Sequence, residues 1–259
     1  MAAQAKQQKW GLILIEKSGQ FCLTSDIDWA SEACIEDFLS LVIGFHVRPT
    51  IFITHRSAIL ERFSAKGLLE IGLHPNFRPN STHGETTLKV AEHVKELYPN
   101  ARGFRSHSFM DGTPITDAMR GVGMEFDSNL CLYLQVVPPF NHWSGLVRYP
   151  VFWEEDVHWT MNGHSWDFMQ YESAFRQIGT KVINVHPVHI ALNTPNAEFY
   201  SSMPVKPSDL TRDDIARYRH AGPGARSFLT TMLSSLTAAG GRFHTLGDLY
   251  DATRTGSDQ

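Results

Sequence analysis

Short apolar runs of strand length alternate along this chain with amphipathic stretches of helical period, and this alternation limits the possible folds more than any other feature. The runs lie at residues 11–15, 21–24, 50–54, 68–73, 103–105, 124–126, 146–153 and 181–185. Several of them are almost unbroken apolar runs, which is typical of strands buried on both faces. Strands that alternate with helices form largely parallel sheets. We therefore predict an α/β fold whose sheet is closed, or nearly closed, into a barrel.

The amphipathic stretches predict the helices that cover this sheet. Residues 31–45 begin with Ser and Glu in capping positions and place an apolar stripe on one face: Cys34, Ile35, Phe38, Leu39 and Val42. Residues 85–98 repeat the pattern, and residues 225–239 form a third helix. Between residues 193 and 224 the composition shifts to Pro, Ser, Asp and Arg, which indicates a surface excursion.

Size and charge restrict the domain number and the class of partner. The chain has 259 residues, of which 42% are hydrophobic, and this suits one α/β barrel, so we expect a single domain over residues 1–259. The net charge is −4, and Lys and Arg are scattered singly. Nucleic-acid binding needs clustered basic side chains that displace counterions, so we expect no nucleic-acid partner. The sequence leaves the oligomeric state open.

Cysteine usage and the lack of long apolar runs bear on the compartment. Cys22, Cys34 and Cys131 are odd in number and widely spaced, so we expect reduced thiols rather than a disulfide framework. No apolar run reaches the length of a signal-peptide core or a membrane span. We therefore expect a cytoplasmic protein without a membrane span.

Side chains that can bind metals or carry protons follow four of the predicted strands. Asp26 and Asp28 follow the run at 21–24, and single histidines follow three further runs: His74, His107 and His186. In parallel barrels the loops that leave the carboxyl ends of the strands converge, and active sites are assembled there. The sequence therefore predicts one polar site at this edge of the barrel.

The pair Asp26 and Asp28 has two interpretations. Residues two apart on an extended segment point to the same side, so one carboxylate could bind a metal while the other takes a proton. The alternative is that the pair caps the helix that begins near Ser31. The presence of His74, His83 and His186 favours the first interpretation. Imidazole and carboxylate ligands suit zinc or a similar divalent ion.

The order of these segments resembles that of the NodB-type polysaccharide deacetylases. The similar segments are LTSDID at 23–28, TIFIT at 50–54, EIGLH at 70–74, FR at 104–105, FDS at 126–128 and VHP at 185–187. A divergent subgroup associated with surface-polysaccharide biosynthesis is more similar still, at HPNF (74–77), RSHS (105–108), WEEDVH (153–158) and HPVH (186–189). The resemblance implies a distorted (β/α) barrel of about seven parallel strands.

The resemblance also implies roles for individual residues. Asp26 would be the general base and His186 the general acid, and Arg105 would hold Asp26 ionised, although an ordinary structural ion pair is an equal alternative for Arg105. The metal ligands would be Asp28, His74 and one further histidine. The family places that histidine four residues after the first, where this chain has Arg78.

We predict His83 as the third ligand, because it comes from the loop that replaces the family's ligand-bearing turn, with His107 as the competing candidate. The expected substrate contacts are His107, Asp156, Trp153 and His189. For Trp153 the alternative is core packing, and for His189 it is a turn cap or a contact that orients His186.

The function implied by the resemblance is metal-dependent hydrolysis of an N-acyl group, such as acetyl, on an amino sugar or a sugar-containing intermediate of polysaccharide biosynthesis. In the cytoplasm that substrate would be a nucleotide-linked or lipid-linked sugar. One alternative is a metal-dependent amidohydrolase that acts on a non-sugar amide with the same residues. The other is a non-catalytic barrel that binds a metal or a glycan.

Overall fold

A computed structural model describes residues 19–255 of the chain. The strands are β1 (Gln20–Asp26), β2 (Thr50–Ile53), β3 (Glu70–Leu73), β4 (Gly103–Phe104), β5 (Phe126–Asp127), β6 (Phe140–Asn141), β7 (Val147–Arg148), β8 (Val151–Glu154), β9 (Thr180–Val185) and β10 (Arg242–Phe243). The α-helices are α1 (Glu32–Gly44), α2 (Ala58–Ser64), α3 (Thr87–Leu97), α4 (Thr113–Gly121), α5 (Glu155–Thr160), α6 (Glu172–Phe175), α7 (Pro187–Leu192), α8 (Ala197–Ser201), α9 (Arg212–Tyr218), α10 (Ala225–Ala238) and α11 (Leu246–Thr255). Short 3₁₀ turns span His107–Phe109, Phe168–Gln170 and Pro207–Asp209.

The strands form one curled sheet, in the order β6-β7-β5-β4-β3-β2-β1-β9-β8, with β10 beside β1. All neighbouring pairs are parallel except β6 with β7. A bridge between Cys131 and Val151 joins the chain that follows β5 to β8, so the sheet curls back on itself. The run from β5 through β1 to β8 supplies the seven parallel strands that were expected, and the predicted α/β barrel is confirmed.

The central strands are buried on both faces, as their apolar runs predicted. β1 pairs with β9 from Gln20 to Ser25 and with β2 from Thr24 to Asp26. In β1 every residue after Gln20 is buried, including the polar Thr24, Ser25 and Asp26 at its carboxyl end. Polar side chains in such a position need partners inside the protein. The carboxyl edge of the sheet therefore carries a cluster of buried polar side chains, which is typical of a functional site.

Most of the predicted strands exist, with differences at their ends. The run at residues 146–153 is two strands rather than one, because Pro150 stands between β7 and β8 and has no N–H for a continuous ladder. Strands β6 and β10 were not predicted, since each has only two residues and neither is an apolar run. The predicted strand at residues 11–15 lies outside the described residues.

The three predicted helices are confirmed. Ser31 caps α1, and its hydroxyl accepts a hydrogen bond from Cys34 N at 3.3 Å. The predicted apolar face of this helix is the buried one. Helix α3 begins after Thr86 rather than at Glu85, because the Thr86 hydroxyl caps it.

The segment at residues 193–224 contains helices α8 and α9 and is not polar throughout. Leu210 and Ile215 are 3% and 4% exposed and pack into the main hydrophobic core. The three cysteines are free thiols, and only Cys131 is partly accessible. Across residues 19–255 no helix combines the length and the apolar character needed to cross a membrane.

Candidate active site

The predicted polar residues meet at the carboxyl edge of the sheet. Asp26 ends β1 and Asp28 follows it, while His74 comes directly after β3. His107 begins the 3₁₀ turn after β4, and His186 stands between β9 and α7. These five side chains thus leave four parallel strands at the same end, which brings residues far apart in sequence into one site.

Asp28 lies between two histidines. Its Oδ1 atom is 3.0 Å from His74 Nε2 and 3.0 Å from His107 Nδ1. Ligand atoms of the three side chains lie within 4.8 Å of one another. Tetrahedral zinc with bonds of about 2.0–2.1 Å would hold its ligand atoms roughly 3.3 Å apart. The geometry and the donor types therefore fit one divalent cation.

His74 supports this fit independently. Its ring is 1% exposed, and its nitrogens face two carboxylates without forming regular hydrogen bonds: Nε2 lies 3.0 Å from Asp28 Oδ1 and Nδ1 lies 3.8 Å from Asp26 Oδ1. A buried imidazole whose hydrogen-bonding capacity is incompletely used is costly unless something else binds it. Burial alone would raise the pKa of Asp28, but its contacts with His107 and His74 hold that pKa well below the usual range. Asp28 is therefore an anion, as a cation ligand must be.

His83 lies outside this group. Its Nδ1 accepts a hydrogen bond from Asn76 N at 3.1 Å, and its ring stacks on His93 at a centroid distance of 5.3 Å. Burial lowers the pKa of His83 to about 4. The structure thus places His107, rather than the predicted His83, beside Asp28 and His74.

Asp26 is 2% exposed and is held on both oxygens. Arg105 Nη1 donates to Oδ1 at 3.0 Å, and Asn184 Nδ2 donates to Oδ2 at 2.9 Å. His74 Nδ1 lies 3.8 Å from Oδ1. Asp26 is therefore a fixed carboxylate next to the candidate cation ligands, not a helix cap, since Ser31 caps α1.

Arg105 is completely buried and links several strands through one guanidinium. Besides Asp26, it donates from Nε to Ser128 O at 2.8 Å, from Nη2 to Ser128 Oγ at 2.7 Å, and from Nη1 to Thr24 Oγ1 at 3.0 Å. It also donates to Asn184 Oδ1. The face of the guanidinium lies over the Phe52 ring, with Cζ 4.6 Å from the centroid. These contacts hold the planar guanidinium group in one orientation, and that orientation fixes the position of the Asp26 carboxyl group.

His186 is paired with Glu155. His186 Nδ1 donates to Glu155 Oε1 at 2.8 Å, and the backbone N–H of His186 donates to the same oxygen at 2.6 Å. Burial of the imidazole would lower its pKa, but the charge and hydrogen bond of Glu155 raise the pKa of His186 well above the usual value. His186 Nε2 lies 3.8 Å from Asp28 Oδ2. Nε2 of His186 therefore faces the candidate cation ligands, and the raised pKa of His186 favours its protonated form.

The sequence analysis assigned no role to three of the site's polar residues, Asn184, Glu154 and Glu155, although the two glutamates lie in the WEEDVH segment at 153–158. Asn184 Nδ2 donates to Asp26 and also to Glu154 Oε1 at 3.1 Å, so one amide joins the two carboxyl groups. Burial raises the pKa of Glu154 well above the usual value. A polar amide inside the apolar strand β9 was the available signal.

Asp26, Glu154 and His186 also form a group with the spacing of metal ligands. Its carboxylates already accept hydrogen bonds from Arg105 and Asn184. The positive charge of Arg105 beside Asp26 makes this second group a less favourable cation site than Asp28, His74 and His107.

The expected substrate contacts differ in accessibility. Trp153 has no exposed surface and stacks on Phe228 at 4.7 Å, which leaves no face for a substrate, so we drop it from the site. His189 is 6% exposed; its ring meets that of His186 edge to face, and its Nδ1 lies 3.2 Å from Thr194 Oγ1. Asp156 is partly exposed, and its buried Oδ1 has no hydrogen-bond partner among the described residues.

Comparison with known proteins agrees with this architecture. The model of the family described as "WbmS-like: Polysaccharide deacetylase" matches residues 23–204. The crystal structure of WbmS from Bordetella bronchiseptica, a proposed polysaccharide deacetylase involved in O-antigen biosynthesis, is similar with a TM-score of 0.76 and 31% identity. That match covers 84% of this chain and 91% of the other.

A second similarity concerns the fold alone. The 4-alpha-glucanotransferase from Thermococcus litoralis is similar with a TM-score of 0.54 and 8% identity, over 90% of this chain and 38% of the other. A search of curated protein sequences gives no match. The family match spans most of the chain and includes every strand that contributes to the site, so this chain belongs to the WbmS-like family of polysaccharide deacetylases.

Proposed function

We propose that this protein hydrolyses an N-acyl group, acetyl first among the candidates, from an amino sugar or a sugar-containing intermediate of polysaccharide biosynthesis. The observation that carries the proposal is the position of Asp26 and His186 next to the three cation ligands. His74, a member of that ligand group, lies 3.8 Å from Asp26, and Asp28 lies 3.8 Å from His186. Metal binding alone requires neither Asp26 nor His186, whereas amide hydrolysis needs a base and an acid.

The cation would be held by Asp28, His74 and His107, and we propose zinc because two imidazoles and one carboxylate suit it. When bound, such an ion polarises the acyl carbonyl and lowers the pKa of water from 15.7 to about 7. Three protein ligands leave a position open for water or substrate. The buried nitrogens of His74, which face the carboxylates of Asp28 and Asp26 without regular hydrogen bonds, support this assignment.

Asp26 is proposed as the general base that takes the proton of the attacking water. Its two oxygens are fixed by Arg105 and Asn184, so the carboxylate cannot rotate away from the reacting atoms. The completely buried guanidinium of Arg105 is a fixed positive charge 3.0 Å from Oδ1 of Asp26. Arg105 thus acts through Asp26, as a positioning residue.

His186 is proposed as the general acid that protonates the leaving amine. Glu155 accepts the hydrogen bond of Nδ1 and favours the imidazolium, so the Nε2 proton is available on the side of the cation ligands. An amine leaves readily only after protonation, and the raised pKa of His186 keeps the imidazole protonated until it donates that proton.

The proposed substrate class is supported by the similarity to WbmS. WbmS is described as involved in O-antigen biosynthesis, so we expect an acetylated sugar of a surface polysaccharide, in nucleotide-linked or lipid-linked form. To test this substrate class, the zinc-loaded protein is incubated with UDP-linked N-acetyl amino sugars, with N-acetylglucosamine oligomers, and with cyclic amides and ureides. We expect acetate release from the sugars only.

Asp26→Asn is the matched variant for this experiment. It keeps the shape of the side chain and should retain the metal, but it loses the base, so we expect turnover to fall about 100- to 10,000-fold. Release of product from a cyclic amide but from no sugar would show a non-sugar amidohydrolase instead. Metal and sugar binding without any product over a long incubation would show a non-catalytic barrel.

A further inference from the structure

Trp29 is a large aromatic residue left at the surface beside the proposed cation site. Its exposed fraction is 36%, although burial of an indole is strongly favourable. Its ring meets that of His107 edge to face, with centroids 5.3 Å apart. His107 in turn contacts Asp28. A partly exposed aromatic side chain thus lies against one of the proposed cation ligands.

The backbone holds Trp29 in this position at some cost. Asp28 and Trp29 have φ values of 42° and 53°, in the left-handed region that residues other than glycine rarely adopt. Hydrogen bonds from Ile27 N to Phe52 O (3.1 Å) and from Ala30 N to Ile27 O (2.7 Å) fix both ends of this turn. The turn lets two consecutive side chains reach His107, one through its carboxylate and one through its ring.

His83 packs beside Trp29 and helps to hold its ring in place. It is 5% exposed, its ring lies 6.2 Å from that of Trp29, and it stacks on His93. Packing of this kind limits the rotation of a neighbouring indole. Trp29 therefore presents an aromatic surface that is held in place before any ligand binds, which reduces the entropy cost of binding.

The chemistry of an N-acetyl amino sugar indicates which part of it the aromatic surface of Trp29 would contact. In an N-acetyl amino sugar only the amide nitrogen separates the acyl carbon from the sugar ring, so a carbonyl at the cation site brings the ring next to that site. The C–H groups on one face of a pyranose carry partial positive charge, and the face of an indole is negative.

We propose that Trp29 forms the platform for the pyranose ring that bears the N-acyl group; this inference rests on the proposed function. It assigns ring recognition to Trp29 and chemistry at the acyl group to the cation site and its neighbours.

The test separates ring binding from binding at the cation. Zinc-loaded wild type, Trp29→Ala and Trp29→Phe are titrated by calorimetry with di-N-acetylchitobiose and with UDP-N-acetylgalactosamine. Acetohydroxamate, which binds a metal but has no ring, is the second probe. Trp143→Ala is the matched control, because Trp143 is 70% exposed on the turn between β6 and β7.

We expect Trp29→Ala to weaken sugar binding about tenfold or more, and Trp29→Phe to stay within about threefold of wild type. Acetohydroxamate affinity should stay within about twofold in both variants, and Trp143→Ala should resemble wild type throughout. Both Trp and Ala carry a Cβ atom, so the backbone strain at this position is the same in the variant.

Unchanged sugar affinity in Trp29→Ala would overturn the proposal, and so would an equal loss for acetohydroxamate, which would make Trp29 a support of the cation ligands. Failure of wild type to bind either sugar would also overturn it. If wild type binds sugar without releasing acetate, and Trp29→Ala loses that binding, the platform stands while the proposed hydrolysis fails.

Discussion

Asp28 contacts two histidines at 3.0 Å, and both follow strands of the barrel. Because His107 shares the Asp28 oxygen with His74 and His83 does not, we expect His107→Ala to lose most of its zinc. His83→Ala should retain near-stoichiometric zinc. Metal analysis of the purified variants after dialysis, and competition with a chromophoric chelator, measure the difference.

The matched histidine variants also decide between the structure and the sequence-based expectation. Loss of zinc in His83→Ala alone would restore His83 as the third ligand, with His107 left to contact substrate. Equal loss in both would mean that the loop around His83 moves when a metal binds.

The sequence located much of this site because the carboxyl ends of parallel strands converge. Asp26, Asp28, His74 and His186 were identified on that basis, and the structure brings them together. The choice between His83 and His107 depends on the path of a loop, which side-chain alternation along a strand does not determine. Asn184 and Glu155 were missed because a polar residue in or beside a buried strand shows its partners only after the strands are paired.

At the scale of elements, close approach between strands depends on small residues. A Cβ atom at Gly103 in β4 would lie 2.0 Å from the ring of Phe126 in the neighbouring β5, and that ring is 1% exposed. We therefore expect Gly103→Ala to lower the free energy of unfolding by about 1–3 kcal/mol, since overpacking forces buried groups to move. Urea denaturation followed by circular dichroism measures the change.

Gly44 provides the control for this substitution. It ends α1, and a Cβ atom there would meet nothing within 4 Å. Gly44→Ala should leave the stability unchanged or raise it by up to about 1 kcal/mol, because Ala favours helix. If Gly103→Ala were as stable as Gly44→Ala, the sheet would have room to adjust at β4.

Element boundaries were predictable where one local signal dominates. The hydroxyl of Ser31 and the apolar stripe that follows it define α1 almost to the residue. Pairing between strands is not local, and for this reason β6 and β10, with two residues each, could not be recognised. The division of residues 146–153 into two strands follows from Pro150, which has no N–H to donate. Whether that missing donor interrupts a strand depends on which strand lies beside it.

At the scale of the whole molecule, the residues that orient the proposed base also hold the barrel together. The guanidinium of Arg105 joins Thr24 in β1, Asn184 in β9 and Ser128 after β5. Strands that are distant in sequence thus meet at one buried guanidinium group. The orientation of Asp26 therefore depends on correct closure of the sheet, which connects the fold directly to the proposed catalysis.

His158 connects stability to pH. It is completely buried; its Nδ1 lies 2.7 Å from Tyr133 Oη and accepts from Trp153 Nε1 at 3.2 Å, while its Nε2 donates to Ser165 O at 3.0 Å. An imidazole that accepts at Nδ1 must be neutral, and burial lowers the pKa of His158 to about 4. The unfolded chain, with a histidine pKa of about 6.5, therefore binds this proton first.

The free energy of unfolding should consequently fall as the pH drops from about 6.5 towards 4, with at most about 1.4 kcal/mol per pH unit due to His158. His158→Asn keeps an acceptor near Nδ1 but removes the titrating group. The variant should be less stable than wild type at pH 7.5, and this difference should shrink as the pH falls through the window. Urea denaturation at a series of pH values measures it, with the exposed His46→Asn as control. A difference that stays constant from pH 7.5 to 4 would show that His158 is protonated as readily in the folded protein as in the unfolded chain.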